Sequence, residues 1–205
     1  MHRFSLDSVH KGRDTPITIS GVHAVNGQTM HPPWASGLQE IVVGMGCFWG
    51  AERLFWQLPG VVVTSVGYAG GVTPNPSYEE TCSGRTGHAE VVRVVFDPSV
   101  IDLETLLSHF WEAHDPTQGH RQGNDIGSQY RSVILTTDAH QQRIAERSRE
   151  VYGEALAKAG HGPITTDIAA LDAYYHAEEF HQQYLHKNPG GYCGLKGTGV
   201  SCPLS

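Results

Sequence analysis

The apolar and polar positions fall into blocks with distinct periods. Residues 40–46, Glu-Ile-Val-Val-Gly-Met-Gly, are a short β-branched run that predicts a buried strand. From Cys47 the period becomes helical, with Ala51, Leu54, Phe55 and Leu58 at i, i+3, i+4 and i+7, and Pro59-Gly60 ends it. Residues 61–69 predict a second strand, closed by Gly70-Gly71 and followed by a polar loop containing Pro74, Asn75, Pro76 and Gly84. Residues 88–96 predict a third strand, stopped by Asp97-Pro98. An amphipathic helix follows, with Asp102 as N-cap and Leu103, Leu106, Leu107, Phe110 and Trp111 on one face. The stretch 114–129 is rich in Gly, Asp, Asn and Gln and predicts a loop. A fourth strand is expected over 130–137, a long helix capped by Asp138 to about residue 159, a fifth strand over 164–170 and a last helix over 175–186.

The order β-α-β-β-α-β, then further α and β, is the split-βαβ order of ferredoxin-like folds. The expected class is α/β (α+β): a two-layer sandwich with a mixed sheet and helices packed on it. Residues 1–38 show weak periodicity and predict an extended N-terminal arm lying over a core, or a partly disordered segment. The core is expected over 40–186, and residues 187–205 form a glycine-rich, mobile tail. At 205 residues the chain is expected to be a single domain, long enough to bury a core without metals or disulfides.

Charge and composition narrow the function. The net charge is −7 and no run of lysine or arginine is present, which argues against nucleic acid as a partner. No apolar run approaches a membrane span, and Met1-His2-Arg3-Phe4-Ser5 lacks the apolar core of a secretory signal, so a soluble cytoplasmic protein is expected. The thirteen histidines are scattered, and His176, His181 and His186, spaced by five, would spread around a helix; no metal site is expected. The four cysteines, Cys47, Cys82, Cys193 and Cys202, show no C-x-x-C spacing. In a cytosolic chain they read as reactive or buried thiols before they read as structural disulfides.

Cys47 stands in Gly46-Cys47-Phe48-Trp49-Gly50, where a strand gives way to a helix. Unpaired N–H groups and the helix dipole there favour a thiolate nucleophile, although a free cysteine packed by its neighbours is the common alternative. Glu90 shares a strand face with Val92, Val94 and Phe96, a costly place for a charge. It is either a proton donor with a raised pKa or a strand-end carboxylate paired with Arg85 or Arg93. Tyr78, Tyr130 and Asp125 lie in loops beside strand ends, where rim residues and site residues both occur. Cys193 and Cys202 stand among five glycines of the tail, and two thiols on a mobile segment could exchange with a distant cysteine and with each other.

These residues resemble the signature blocks of the peptide methionine sulfoxide reductase A family. Besides Gly46–Gly50, the resemblance rests on four further stretches: Gly67-Tyr68-Ala69-Gly70-Gly71 with Asn75-Pro76-Ser77-Tyr78; Thr86-Gly87-His88-Ala89-Glu90; Gln122 through Ser132; and Tyr184-Leu185-His186-Lys187-Asn188-Pro189. It covers roughly residues 40–202 in order. The resemblance implies a peptide-methionine (S)-S-oxide reductase without a cofactor, acting on oxidised proteins, peptides and free methionine sulfoxide. Cys47 would attack the sulfoxide sulfur, Glu90 would protonate the oxygen, Tyr78 and Tyr130 would hydrogen-bond it, and Phe48 and Trp49 would hold the methyl group. Asp125 would order the polar side of the pocket. A sulfenic acid on Cys47 would be resolved by Cys193, then by Cys202, and thioredoxin would reduce that pair. Cys82 has no role in this scheme and reads as a structural thiol. A monomer is expected. Competing readings of the same thiols are a peroxide-reducing enzyme and a non-catalytic redox sensor.

Overall fold

The computed structural model describes residues 9–204. Its strands are β1 (Gln39–Met45), β2 (Val61–Ala69), β3 (Ala89–Phe96), β4 (Arg121–Gln122), β5 (Asp125–Ile126), β6 (Ser132–Thr136), β7 (Asp167–Ala170) and β8 (Tyr174–His176). Its helices are α1 (Phe48–Trp56), α2 (Tyr78–Cys82), α3 (Leu103–Ala113), α4 (Ala139–Lys158) and α5 (Tyr184–Lys187). Six strands form one sheet in the order β7-β6-β1-β3-β2-β8, while β4 and β5 pair as a separate hairpin. The β1–β3, β1–β6, β2–β3 and β2–β8 pairs are antiparallel and β6–β7 is parallel, so the sheet is mixed, as expected.

Strand alternation sorts the apolar residues onto two faces. Ile41, Val43, Met45, Val92, Val94, Phe96 and Ile134 pack with Phe48, Ala51 and Phe55 of α1, Leu106, Leu107, Phe110 and Trp111 of α3, and Tyr152 and Leu156 of α4. The residues between them, Val42, Val91, Val133 and Leu135, face the other way. Part of that second face is covered by the arm, whose Ile19 and Met30 pack on Val63 and Val95. Residues 1–8 of the expected arm lie outside the described residues. Asp102 and Asp138 cap α3 and α4 as expected, accepting the N–H groups of Thr105 and Gln141 at 2.8 Å each.

Several expectations change. The polar loop after β2 contains α2, too short for an apolar period but closed by a capping box: Ser77 Oγ accepts Glu80 N–H at 3.3 Å and Glu80 Oε2 accepts Ser77 N–H at 2.8 Å. The helix expected over 175–186 is instead the end of β8, a 3₁₀ turn at Glu179–His181 and α5. Tertiary partners outweigh the helical pattern there. Tyr174–His176 complete the edge of β2, Gln182 clamps both backbone groups of Val66 at 2.9 and 2.8 Å, and Gln183 takes a left-handed φ of 47°. The fourth strand is shorter than expected, with Ser128–Tyr130 in a 3₁₀ turn, and the fifth is reduced to β7. After α5 the described residues of the tail form no helix or strand, but they are laid onto the core. Tyr152 hydroxyl donates to Val200 carbonyl at 3.1 Å, Cys202 N–H donates to Glu112 Oε1 at 2.6 Å, and Cys202 itself is buried in the helix-side core. Among the described residues no helix is long and apolar enough to cross a membrane, and no cluster of His, Cys, Asp and Glu could hold a metal.

A buried carboxyl on α1 ties this frame together. Glu52 accepts from Thr64 Oγ1 at 3.0 Å, Gln183 Nε2 at 2.7 Å and Gln183 N–H at 2.8 Å. It is fully buried, which pushes its pKa up to about 7. Glu52→Ala leaves those donors without an acceptor, and urea unfolding should show a loss of about 2–4 kcal/mol. Glu52→Gln, which retains a side-chain oxygen, should lose clearly less; an alanine variant within about 0.5 kcal/mol of wild type would contradict this account.

Candidate active site

The site begins at the end of β1. Gly46 makes the turn with φ 98°, and a Cβ there would lie 2.7 Å from Gln122 Cγ. This sharp turn sets Cys47 at the N-cap of α1. Opposite it stands Glu90 of β3, on the helix-side sheet face expected from its spacing. Glu90 is 2 % exposed, and Phe48 N–H donates to its Oε2 at 3.0 Å. Burial pushes its pKa up to about 8, the nearby Asp125 adds to this, and the Phe48 N–H works the other way. Glu90 is therefore mostly a neutral acid at pH 7. The alternative pairing with Arg85 or Arg93 is not formed; Arg93 points to Glu40 at 3.6 Å and its guanidinium lies 3.9 Å from the Tyr174 ring centroid.

Cys47, Phe48, Trp49, Tyr78, Glu90, Asp125, Tyr130 and Tyr192 line one cavity of about 110 Å³. Seven of these eight are residues singled out in the sequence. They come from α1, α2, β3, β5, the 3₁₀ turn before β6 and the tail. Burial, first of all, pushes the Tyr78 and Tyr130 hydroxyls well above the usual phenol range, and the Glu90 carboxylate form would add to this. Both therefore stay hydrogen-bond donors. Asp125 Oδ2 accepts the Tyr192 hydroxyl at 3.1 Å. The indole of Trp49 stacks on Tyr184, with centroids 3.9 Å apart and planes at 16°. The cavity thus has acid and hydroxyl donors and aromatic walls beside one sulfur, a set suited to a small substrate with one polar oxygen and an apolar end.

The thiolate expected at the helix N-terminus is not favoured here. Trp49 N–H does stabilise it, but burial and then the Glu90 charge outweigh that, and the Cys47 thiol is held well above its usual range. With Glu90 neutral, desolvation remains the largest cause, and the Asp125 and Cys193 charges add to it. Cys193 does not line the cavity but approaches it. A Cβ on Gly50 would lie 2.7 Å from Cys193 Sγ, so the glycine that closes the Gly46–Gly50 stretch makes room for the tail thiol. Cys202 lies apart, against Glu112 of α3; burial raises its pKa. All four cysteines are free thiols. Cys82, at the end of α2, is outside the cavity lining.

Three residues near the cavity carry no signal the sequence reading used. Tyr192 precedes Cys193 in a tail read only for its cysteines. Glu178 accepts Tyr78 N–H at 2.9 Å and the Tyr68 hydroxyl at 2.8 Å. His181 accepts the Trp49 indole N–H at 3.1 Å, from a segment expected to be a plain helix.

Known proteins match this chain over nearly its whole length. The family model described as peptide methionine sulfoxide reductase matches residues 39–200. A peptide methionine sulfoxide reductase MsrA of Brucella anthropi is 64% identical over 98% of this chain and 92% of its own. Among solved structures, methionine sulfoxide reductase A of Corynebacterium diphtheriae superposes with a TM-score of 0.88 at 50% identity, covering 98% of each chain. Mxr1 from Saccharomyces cerevisiae in complex with Trx2 superposes with a TM-score of 0.52 at 25% identity, over 76% of this chain and 90% of that one. The chain belongs to the peptide methionine sulfoxide reductase family.

Proposed function

We propose that this chain reduces the S epimer of methionine sulfoxide in oxidised proteins and peptides, and as the free amino acid, and that thioredoxin recycles it. The observation that carries this reading is the buried acid Glu90 facing Cys47 across a cavity walled by Phe48 and Trp49. The methyl group would sit against the two aromatic rings. The sulfoxide oxygen would meet Glu90 and the Tyr78 and Tyr130 hydroxyls. Sulfoxide oxygen leaves poorly unless protonated, so an acid that is still protonated at neutral pH suits the task. Protonation leaves positive charge on the sulfoxide sulfur beside Cys47. That charge favours the thiolate which the protein surroundings alone disfavour, so attack and protonation would be coupled. Phe48 and Trp49 also favour a methyl sulfoxide over a peroxide, which has no apolar end to hold.

The electrons balance as follows. The Cys47 thiol and the sulfoxide become a sulfenic acid and a thioether, and Cys47 loses the two electrons that the sulfoxide gains. The Cys193 thiol then displaces water from the sulfenic acid and forms a Cys47–Cys193 disulfide. Cys202 exchanges with it to give Cys193–Cys202 and a free Cys47 thiol, and the dithiol of thioredoxin reduces the tail pair. The nearness of Cys193 to Gly50 supports the order of these steps. Cys202 is buried and its N–H is bound by Glu112, so its step requires the tail to lift from α3. We take the whole chain to be one catalytic unit that works as a monomer, since one chain supplies every cavity residue. Thioredoxin recycling and four free thiols fit a cytoplasmic location.

Three measurements check this. Cys47→Ser should form no methionine from a methionyl-sulfoxide peptide with dithiothreitol; methionine formed at the wild-type rate, or peroxide consumed in its place by the wild type, would overturn the reading. Glu90 must be protonated to act, so the single-turnover rate should be flat at lower pH and fall as pH rises through about 8. Glu90→Gln should lose about a hundredfold and lack that alkaline limb; an unchanged profile would assign the proton to another group. In the absence of reductant the relay should let the wild type form about two methionines per chain and Cys202→Ser about one, by counting the thiols each can spend. Equal yields would contradict the role of Cys202.

A further inference from the structure

His181 is 1 % exposed and sits on the 3₁₀ turn Glu179–His181, with its ring centroid 4.8 Å from Tyr78, 5.1 Å from Phe48 and 4.0 Å from Phe180. Its Nδ1 accepts the indole N–H of Trp49 at 3.1 Å. An accepting Nδ1 carries no proton, so the neutral ring bears its proton on Nε2. That atom lies 3.8 Å from Glu178 Oε2 and has no hydrogen-bond partner among the described residues. Burial lowers the imidazole pKa to about 4, so at neutral pH Nδ1 remains an acceptor. Three residues on, Tyr184 stacks on the same indole at 3.9 Å. One short segment, 181–184, therefore grips Trp49 by its N–H and by one ring face.

We propose that His181 is a positioning residue that fixes the Trp49 indole as a rigid wall of the cavity, and so sets the preference for methyl over larger alkyl sulfoxides. The inference rests on the reading of Trp49 as the wall of the methyl site. A tryptophan wall is selective only if it cannot rotate away. In a cavity of about 110 Å³ the indole N–H has no other side-chain acceptor among the described residues, so its bond to His181, together with the Tyr184 stack, opposes rotation about the Trp49 side-chain torsions. The chemistry at 181 is restrictive. A cation there could not accept the indole proton, and an aliphatic or phenyl side chain would leave that half-buried donor without its protein acceptor. The choice of the Nε2–H tautomer, forced by the Trp49 bond, also keeps a second acceptor from facing the Glu178 carboxylate, which is needed for Tyr78 N–H and Tyr68.

The test compares methionine sulfoxide with its S-ethyl homologue as free substrates. It uses single-turnover rates over a range of concentration on the full chain, with melting temperatures as a fold control. Wild type should prefer the methyl substrate by about tenfold or more, the usual worth of one methylene in a tight site. His181→Phe keeps a ring but no acceptor. It should raise the half-saturating concentration for the methyl substrate by about two- to tenfold, the size of one hydrogen bond, with little change in the maximal rate. Its methyl-over-ethyl ratio should fall below about threefold on the same reasoning. His181→Asn, which offers a carbonyl oxygen near the place of Nδ1, should restore most of the ratio. Should His181→Phe fail to fold, Tyr184→Leu removes the stacking face from outside the turn and should shift the same ratio in the same direction. An unchanged ratio in these variants, or His181→Asn behaving like His181→Phe, would overturn the role of His181 and leave the proposed reaction standing. A wild type with no methyl preference would instead overturn the reading of Trp49 on which the inference rests.

Discussion

A carboxyl buried on an apolar sheet face is the constraint around which this site is arranged. Glu90 shares its face with Val92, Val94 and Phe96, and among the described residues its side chain accepts a hydrogen bond only from Phe48 N–H. Burial without a cationic partner favours the neutral form. The same apolar surroundings that stabilise the fold therefore produce an acid at neutral pH. The Phe48 N–H belongs to the first residue of α1, whose N-cap is Cys47, so the bond holding the acid also fixes where the thiol stands. Acid and thiol thus share one buried setting: burial raises both, and a charged Glu90 raises the thiol further.

The sheet order explains how residues distant in sequence converge. β1 lies between β3 and β6, so the start of α1, residue 90 and the turn before β6 come together at one end of the sheet. The β4–β5 hairpin adds Asp125, and the tail crosses above with Tyr192 and Cys193. Glu52 and Gln183 clamp α1 to the segment that carries His181, coupling the wall of the cavity to the helix that bears the thiol. The tail is more firmly placed than a free arm. Cys193 rests at Gly50 and Cys202 is sunk beside α3, so the two tail thiols differ in access although they lie in similar sequence.

Much of this was legible in the chain, for physical reasons that differ by element. The β-branched runs and the leucine-rich face after Asp102 marked the strands and helices whose partners are the apolar core itself. Glu90 was visible as a charge out of place on an apolar strand, and Cys47 as a thiol between glycines at a strand-to-helix turn. What stayed hidden depends on long-range pairing. The stretch 175–186 has a helical pattern, yet it adds a strand to β2 and then clamps Val66 through Gln182. The five residues of α2 are too few to show a period, and its cap is what makes it a helix. His181, Glu178 and Tyr192 act through partners more than sixty residues away in the chain, and nothing local in the sequence distinguishes them. The Cys47 thiol departs from its sequence expectation because local helix geometry favours the thiolate while tertiary burial, which one sequence does not reveal, opposes it.

The central claim is that Glu90 is a neutral acid at physiological pH. The most direct test is infrared difference spectroscopy of the reduced protein against Glu90→Gln, following the carbonyl band of a protonated carboxyl with pH; the difference removes the band from Glu52. The account predicts that this band persists at pH 7 and disappears with a midpoint of about 8. A band already lost by about pH 5, as for an ordinary solvated glutamate, would contradict it.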